Sequence, residues 1–231
     1  MSVNAVTLQS VSFAWGKTND PFLLVDELNV KVGEKLFLYG PSGSGKSTLL
    51  NIISGVVAPQ TGKVNLLDVS LRELSNRERD QFRAQHLGII FQQFNLVPYL
   101  NILDNLKLRI SFLPKQRRHL ATQQIPALLE RLQLSDLASQ KAYQLSVGQQ
   151  QRTALARALL GSPEIIIADE PTSALDTDLR AEFMNLLFES IDDKTTLLFV
   201  SHDQQLKSRF DSTLDILQCR AGSQRATQEG V

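Results

Sequence analysis

The sequence predicts an α/β fold whose core is a mostly parallel sheet covered by helices on both faces. Short apolar runs such as LFLY at 36–39 and EIIIAD at 164–169 alternate with stretches in which apolar residues recur at helical spacing. Strands that alternate with helices in this way usually lie parallel and are buried on both faces. Because ligands of such sheets bind beyond the carboxyl ends of the strands, the residues that follow each apolar run are the candidate site.

The composition is that of an ordinary globular protein. Of 231 residues, 42% are apolar, and 24 basic residues balance 24 acidic ones. No apolar run approaches the ~20 residues of a transmembrane helix, the N-terminus does not read as a signal peptide, and the single cysteine, Cys219, excludes an internal disulfide. We therefore expect a soluble, cytoplasmic chain that could dock on a membrane protein, with no nucleic-acid partner.

The first half of the chain alternates strands and helices. Apolar and polar residues alternate along 3–13 at the period of a strand, and NDP and VKVGEK are turn signals. A buried strand leads into GPSGSGKST, which opens the first helix. In chain order, we expect strands at 3–13, 36–39, 62–68 and 87–91, and helices at 46–54 and 71–85.

The second half begins with a change of pattern. From about 92 to 145 leucines recur at helical spacing, and we expect Pro114 and Pro126 to break the run. Strand-like runs return at 164–169, 195–202 and 213–217, with a helix after the first and a short helix at 203–210. These patterns predict a single domain with a core of about 1–91 and 146–220, a helical sub-domain of about 92–145, and a polar tail at 221–231.

The stretch GPSGSGKS at 40–47 matches the phosphate-binding pattern G-x-x-x-x-G-K-[ST] and stands between a strand and a helix, as that pattern requires. Its glycines let backbone N–H groups surround a phosphate, and the helix N-terminus adds partial positive charge. Lys46 is expected to reach the β- and γ-phosphates of a nucleotide, and Ser47 to bind Mg²⁺. The predicted nucleotide-binding residues are Gly40, Pro41, Ser42, Gly43, Ser44, Gly45, Lys46, Ser47 and Thr48.

Two acidic residues end the apolar run IIIADE at 165–170. A buried strand rarely ends in two acids unless they meet a cation or another partner, although such acids can also simply start a helix. With a phosphate loop in the same chain, we expect Asp169 to hold Mg²⁺ and Glu170 to polarise the water that attacks the γ-phosphate.

Two further polar residues follow predicted strands. Gln92 ends the run LGIIF, and its amide could bind Mg²⁺ or orient water. Gln93 is adjacent, so the sequence leaves open which of the two glutamines contacts the metal. His202 follows a strand that should neighbour the phosphate-loop strand, which would bring its ring to the same sheet edge. We expect Gln92 and His202 to act with Glu170 in catalysis.

The stretch LSVGQQQR at 145–152 reads as a second helix start, with Ser146 and Gly148 placed where anions bind. The chain resembles the nucleotide-binding domain of ABC ATPases in the residue types of its motifs and in their order along the sequence. These motifs are GPSGSGKST, Gln92, LSVGQ, IIIADE, SALD and His202. The resemblance covers residues 1 to about 220. It implies the phosphate-loop ATPase fold of that family, with antiparallel strands at the N-terminus, and ATP hydrolysis with Mg²⁺.

The same resemblance implies a shared active site in a head-to-tail homodimer. Ser146, Gly148 and Gln149 would bind the ATP held by the partner subunit, and Asp176 in SALD would lie in the loop that links the two active sites. Val147 departs from the glycine usual in the family, which affects loop flexibility more than phosphate contact. Trp15 stands where the family often stacks an aromatic ring on adenine, although a tryptophan is also a common core residue.

Membrane subunits of the family dock beside the position of Gln92. The segment from Gln92 to Tyr99 is unusually apolar for a loop, which suggests permease docking there or simple packing of the sub-domain. The stretch 71–106 resembles the branch of lipoprotein-releasing, macrolide-export and cell-division ATPases, although amino-acid importers share parts of it. We therefore expect a peripheral ATPase at the inner face of the cell membrane that drives export or extraction.

Other functions remain open at this level. A soluble ABC ATPase acting on nucleic acid or ribosomes would usually carry a long coiled coil or a second ATPase domain, and this chain shows neither. An amino-acid importer subunit would differ in its membrane partner. A module that uses ATP only as a clamp would not need both Glu170 and His202.

Overall fold

The computed structural model describes residues 4–16 and 20–220. The strands are β1 (Asn4–Phe13), β2 (Leu23–Lys31), β3 (Lys35–Tyr39), β4 (Thr61–Leu66), β5 (Val69–Ser70), β6 (Leu87–Ile90), β7 (Ile165–Asp169), β8 (Thr196–Val200) and β9 (Ser212–Asp215). The helices are α1 (Lys46–Ile53), α2 (Asn76–His86), α3 (Ile102–Phe112), α4 (Lys115–Arg131), α5 (Val147–Leu159) and α6 (Thr177–Ser190). The mixture of parallel strands, an antiparallel sheet and helices confirms the predicted α/β class.

The chain forms two compact units. The first contains the described residues of 1–79 and 196–231, and the second contains residues 80–195. The separation of a core from a helical sub-domain at 92–145 stays a prediction, and the tail at 221–231 lies outside the described residues.

The first unit contains an antiparallel sheet and a parallel one. The antiparallel sheet has the strand order β2-β1-β4-β5, and its inner face is built from alternate residues such as Val6, Leu8 and Leu66. In the parallel sheet, β3 lies between β8 and β9, with Leu38 opposite Val200 and Leu214. All five residues of β8 are buried, as expected for a strand covered on both faces.

The second unit is built on the parallel pair β6 and β7. Helix α5 packs so closely against β6 that a Cβ atom added to Gly88 would lie 2.3 Å from the carbonyl oxygen of Ala158. The small buried residues of α5, Ala154 and Ala158 among them, permit this approach. The absence of a side chain at position 88 therefore sets the distance between α5 and β6.

Three features differ from the prediction. Pro126 does not end a helix but lies inside α4, where Ala121, Ile125 and Leu129 form a buried face that holds the helix together. Strand β2 has no counterpart in the prediction. The last strand ends at Asp215 and is followed by a short 3-10 turn over Ile216–Cys219. Among the residues described, no helix is both long and apolar enough to span a membrane.

Candidate functional site

The predicted phosphate loop connects β3 to α1 in the first unit. Lys46 begins α1, is buried, and donates hydrogen bonds from Nζ to the carbonyl oxygens of Gly40 and Pro41, both at 2.9 Å. Ser44 Oγ donates to the Pro41 carbonyl at 2.7 Å. These contacts hold the ammonium group inside the turn of the loop, while Ser47 on the first turn of α1 is exposed.

Glycine is required at two points of this loop. Gly45 caps α1 with φ +109°, and a Cβ atom there would lie 3.0 Å from the side chains of Phe22 and Leu23. At Gly40, with φ +150°, a Cβ atom would lie 2.3 Å from Ile216. The motif thus fits its position for steric reasons as well as for phosphate binding.

His202 leaves the same edge of the first unit's parallel sheet as the phosphate loop. Strand β8 is the parallel neighbour of β3, as the sequence predicted, and Ser201 N–H donates to the Leu38 carbonyl at 3.2 Å. The His202 side chain is exposed. Trp15 also lies in this unit, 57% exposed, with its ring edge-to-face on Phe13 at 4.9 Å, so it is a surface residue rather than a core one.

Three of the predicted site residues lie at one edge of the second unit's parallel pair of strands: Gln92, Asp169 and Glu170. The register places Ile90 opposite Ala168, so the chain turns away from both strands at the same level. Glu170 has φ +45°, a left-handed conformation that costs a residue with a side chain roughly 1 kcal/mol or more. Its carbonyl accepts a hydrogen bond from Ser173 N–H at 3.2 Å, which stabilises the turn. Strain of this kind is often retained at functional positions.

The donor atoms near this edge suit a magnesium ion that is held mainly by a nucleotide. An Asp169 carboxylate and a Gln92 amide are hard oxygen donors. Within the described part of the chain, no group of three or more His, Cys, Asp or Glu side chains could hold a metal ion without other ligands. This donor set fits Mg²⁺ bound with phosphate oxygens rather than a metal site made by the protein alone.

Ser146 begins α5 with a reciprocal cap. Its Oγ accepts from the N–H of Gln149 at 3.3 Å, and Gln149 Oε1 accepts from the N–H of Ser146 at 2.9 Å. Ser146 and Val147 are exposed, and Gly148 lies against α6, where a Cβ atom would be 3.5 Å from Leu179. Asp176 caps α6 by accepting from Leu179 N–H at 2.9 Å.

Gln151, which was not predicted from the sequence, connects α5 to the residues after Glu170. Its side chain is fully buried, and its Nε2 donates to the carbonyl of Pro171. The Oε1 atom of Gln151 has no hydrogen-bond partner among the described residues. A buried glutamine that interrupts an otherwise small and apolar helix face was the available signal.

The segment from Gln92 to Tyr99 is only partly an exposed apolar patch. Phe94 is buried, whereas Tyr99 is 72% exposed. Asn105 is buried and stabilises this loop: its Oδ1 accepts a hydrogen bond from Val97 N–H at 2.8 Å. Its Nδ2 donates to the carbonyls of Val97, Leu100 and Asn101 at 3.2, 3.3 and 3.0 Å.

Two arginines that were not predicted from the sequence donate to backbone carbonyls, Arg157 within this segment and Arg109 before it. Arg157 on α5 donates to the carbonyls of Phe94 and Asn95 at 2.6 and 2.5 Å, and Arg109 on α3 donates to the Leu87 carbonyl at 3.1 Å. In the sequence, Arg157 is flanked on α5 by alanines and leucines that are buried. An arginine that faces solvent would not take such a position. That context is the only sequence signal for either residue.

Comparison with known proteins gives a consistent result. The sequence model of the ABC transporter family matches residues 25–173. The ABC transporter ATP-binding protein YbbA of Escherichia coli (strain K12) is 42% identical over 83% of this chain and 84% of its own length. The lipoprotein-releasing system ATP-binding protein LolD of Hydrogenovibrio crunogenus is 36% identical over 85% of each chain.

A solved structure agrees in fold and in sequence. The dimeric MJ0796 cassette of Methanocaldococcus jannaschii superposes with a TM-score of 0.78 at 34% identity, covering 92% of this chain and 95% of that one. A second dimeric structure of MJ0796 is of a post-hydrolysis state bound to ADP and Pi.

Proposed function

Because this chain belongs to the ABC transporter family and is an ATPase of that family, we propose that it is the energy-supplying subunit of a membrane complex for export or extraction. It works as a homodimer at the inner face of the cell membrane, and separate transmembrane subunits carry the substrate. The likeness to LolD, over nearly the whole of both chains, supports the export or extraction branch.

The phosphate loop binds the nucleotide in this proposal. The position of Lys46 Nζ between two loop carbonyls supports its role, because the same ammonium can exchange these carbonyls for β- and γ-phosphate oxygens. Ser47, Gln92 and Asp169 would hold Mg²⁺, which when bound would offset the negative charge of the phosphates. Trp15 offers its exposed ring to the adenine.

Glu170 and His202 act on the reacting atoms. Glu170 accepts a proton from the attacking water, and its left-handed backbone supports this role, since strain of this kind is often retained at functional positions. His202 is exposed beyond a fully buried strand. It donates a hydrogen bond to the γ-phosphate as charge develops there, and it keeps the water in line. The single observation that supports this assignment is that Gln92, Asp169 and Glu170 all follow the same edge of the pair β6 and β7 in the second unit.

The residues at the start of α5 bind the partner's nucleotide in this proposal. Ser146, Gly148 and Gln149 are at the start of α5, whose N-terminus offers N–H groups and partial positive charge to a γ-phosphate. Asp176 caps the neighbouring helix α6 and lies where the two sites of a dimer would communicate. Closure of the dimer on ATP and reopening after hydrolysis give the mechanical stroke.

Substitution of Glu170 by Gln tests the hydrolytic assignment. The variant should retain ATP binding, lose phosphate release by about 10²-fold or more, and accumulate as a dimer with ATP. Glu189→Gln, an exposed carboxylate on α6, is the matched control and should hydrolyse ATP at the wild-type rate. A Glu170→Gln protein with unchanged turnover would contradict the assignment.

Substitution of Ser146 by Arg tests the shared site. The isolated chain should still bind ATP, because its own phosphate loop is intact, but hydrolysis should stop. Loss of ATP binding by the monomer would show that Ser146 serves its own subunit instead.

Purification of tagged Glu170→Gln protein with Mg-ATP from a detergent extract of its native cell tests the transport assignment. A membrane protein with few spans and a large extracytoplasmic part supports export or extraction. A many-span permease would favour an importer or a conventional exporter. Ribosomes or DNA-bound proteins, or no partner at all, would leave only the ATPase.

A further inference from the structure

A groove of about 540 Å³ lies in the second unit at the start of β7. Its lining residues come from three segments, 124–131 on α4, 159–166 from the end of α5 into β7, and 190–195 at and after the end of α6. We call it the basal groove. It contains none of the residues proposed above for catalysis or nucleotide binding, and its volume is in the range of sites for small molecules.

Hydrogen bonds hold the walls of the basal groove in place. Gln124 Nε2 on α4 donates to Ser162 Oγ at 2.8 Å, and Gln124 Oε1 accepts from Gly161 N–H at 2.9 Å. In the third segment, Asp192 Oδ1 accepts from the N–H of Thr195 at 2.8 Å and from its hydroxyl at 2.7 Å. Because the groove is formed in advance, a ligand would pay little for ordering its walls.

Much of the lining of the basal groove is apolar. Leu159, Pro163 and Ile166 are buried and line the groove from the core of the unit. Ala127 and Leu128 line it from α4. An apolar body bound here would remove its own surface and that of these side chains from water. The groove therefore favours a molecule with an apolar body over a fully polar one.

Two cations that line the groove have no counter-charge. Arg131 lies in the last turn of α4, Lys194 lies shortly before β8, and both are exposed. Within the described part of the chain, neither side chain forms an ion pair or a hydrogen bond. The acids that line the groove are already engaged, since Glu164 contacts His86 Nδ1 at 3.1 Å and Asp192 accepts from its own turn. The unpaired charge is therefore positive, which favours an anionic ligand.

The surroundings of these cations restrict the type of anion. Glu130 precedes Arg131 in the chain, Asp193 precedes Lys194, and both acids are exposed. A polyphosphate or an anionic membrane surface would meet these carboxylates as well as the cations, and like charges brought together are costly. A single carboxylate requires only the two cations. The charge pattern thus favours a monoanion that is taken from solution.

We propose that the basal groove binds a small organic acid with one carboxylate and an apolar body, such as a medium-chain or aromatic carboxylic acid. Arg131 and Lys194 bind the carboxylate, and the guanidinium of Arg131 can do so through two parallel hydrogen bonds. The apolar body lies against Leu159, Pro163 and Ile166. This inference is independent of the proposed function, because it requires neither ATP nor a membrane subunit.

Isothermal titration calorimetry with decanoate and the full chain tests the proposal. Decanoate should bind in a ratio of about one to one, with the same affinity when Mg-ADP is present, because the groove contains no proposed nucleotide-binding residue. Decanol and decyltrimethylammonium keep the apolar body but lack the carboxylate, so they should bind about tenfold more weakly or less. Inorganic phosphate should not bind measurably at the groove.

Charge reversal tests the two cations. Arg131→Glu joined with Lys194→Glu should weaken decanoate binding about tenfold or more, because attraction is replaced by repulsion. Lys107→Glu joined with Lys115→Glu changes the net charge equally, at exposed positions outside the groove, and should leave the affinity unchanged. Far-ultraviolet circular dichroism confirms that both double variants are folded.

A filled groove and a photolabel then locate the bound molecule. Ala127→Trp should abolish decanoate binding by occupying the groove, whereas Glu130→Trp, on the same helix but outside the groove, should not. A decanoate that carries a diazirine should label peptides from 124–131 or 159–166, as identified by mass spectrometry.

Several results would overturn the proposal. Absence of decanoate binding below its micelle-forming concentration would do so, as would equal binding of decanol or displacement of decanoate by Mg-ADP. Unchanged affinity in the double variant of Arg131 and Lys194, or a label found only outside the three lining segments, would also contradict it. Binding that occurs with phosphatidylglycerol vesicles but not with free decanoate would show a membrane contact instead of a site for a soluble acid.

Discussion

Removal of the Asn105 side chain should destabilise the protein by about 3 kcal/mol. Asn105 is 1% exposed, and its amide meets one N–H group and three carbonyls of the loop that ends at Asn101. Its two Nδ2 protons cannot serve three carbonyls fully, so the side chain supplies the equivalent of about three hydrogen bonds at about 1 kcal/mol each. In Asn105→Ala the Val97 N–H would lose its partner inside the protein.

Urea denaturation followed by far-ultraviolet circular dichroism measures this loss. The urea concentration at the midpoint of unfolding should fall. The slope of the unfolding free energy against urea concentration should stay unchanged, because the same surface is exposed on unfolding. Asn101→Ala is the matched control. Asn101 only caps α3 through one bond to Asp104 N–H, and its removal should cost about 1 kcal/mol. If Asn105→Ala costs no more than Asn101→Ala, the hydrogen-bond account of the loop is incorrect.

Three further predictions concern single residues. Gly88→Ala should destabilise the protein by at least about 2 kcal/mol in the same urea experiment, because the new methyl group would overlap the carbonyl of Ala158. Gln151→Leu should lower kcat about tenfold with little change in ATP affinity, since the donor to the Pro171 carbonyl is lost; equal losses in kcat and binding would contradict this. The pKa of Cys219 is raised to about 11 by burial and by nearby carboxylates, so iodoacetamide should label the folded protein far more slowly than the urea-unfolded one at about pH 8.

The residues of the candidate site were proposed from the sequence alone, and their roles stay predictions. The phosphate loop was recognisable because its function needs glycine, lysine and serine at fixed spacing, and the structure adds steric reasons for Gly40 and Gly45. The position of His202 followed from the order of the strands, since β8 pairs with β3. These features depend on local spacing or on the general rules of parallel sheets.

Other features depend on contacts between distant parts of the chain. Nothing in the sequence indicates that Arg109 and Arg157 both donate to backbone carbonyls between Leu87 and Asn95. Pro126 was expected to break a helix, yet packing of the residues around it outweighs the lost hydrogen bond. Strand β2 was missed because charged residues, including Asp26 and Glu27, interrupt its apolar pattern.

The reciprocal cap at the start of α5 has a consequence for how the proposed motor would reset. Ser146 Oγ accepts from Gln149 N–H, and Gln149 Oε1 accepts from Ser146 N–H. The Ser146 hydroxyl keeps its own proton for donation, so a γ-phosphate bound as proposed could accept from it without breaking the cap. The cap would then be present with and without the phosphate. Release of the phosphate would leave no unsatisfied group at the start of the helix.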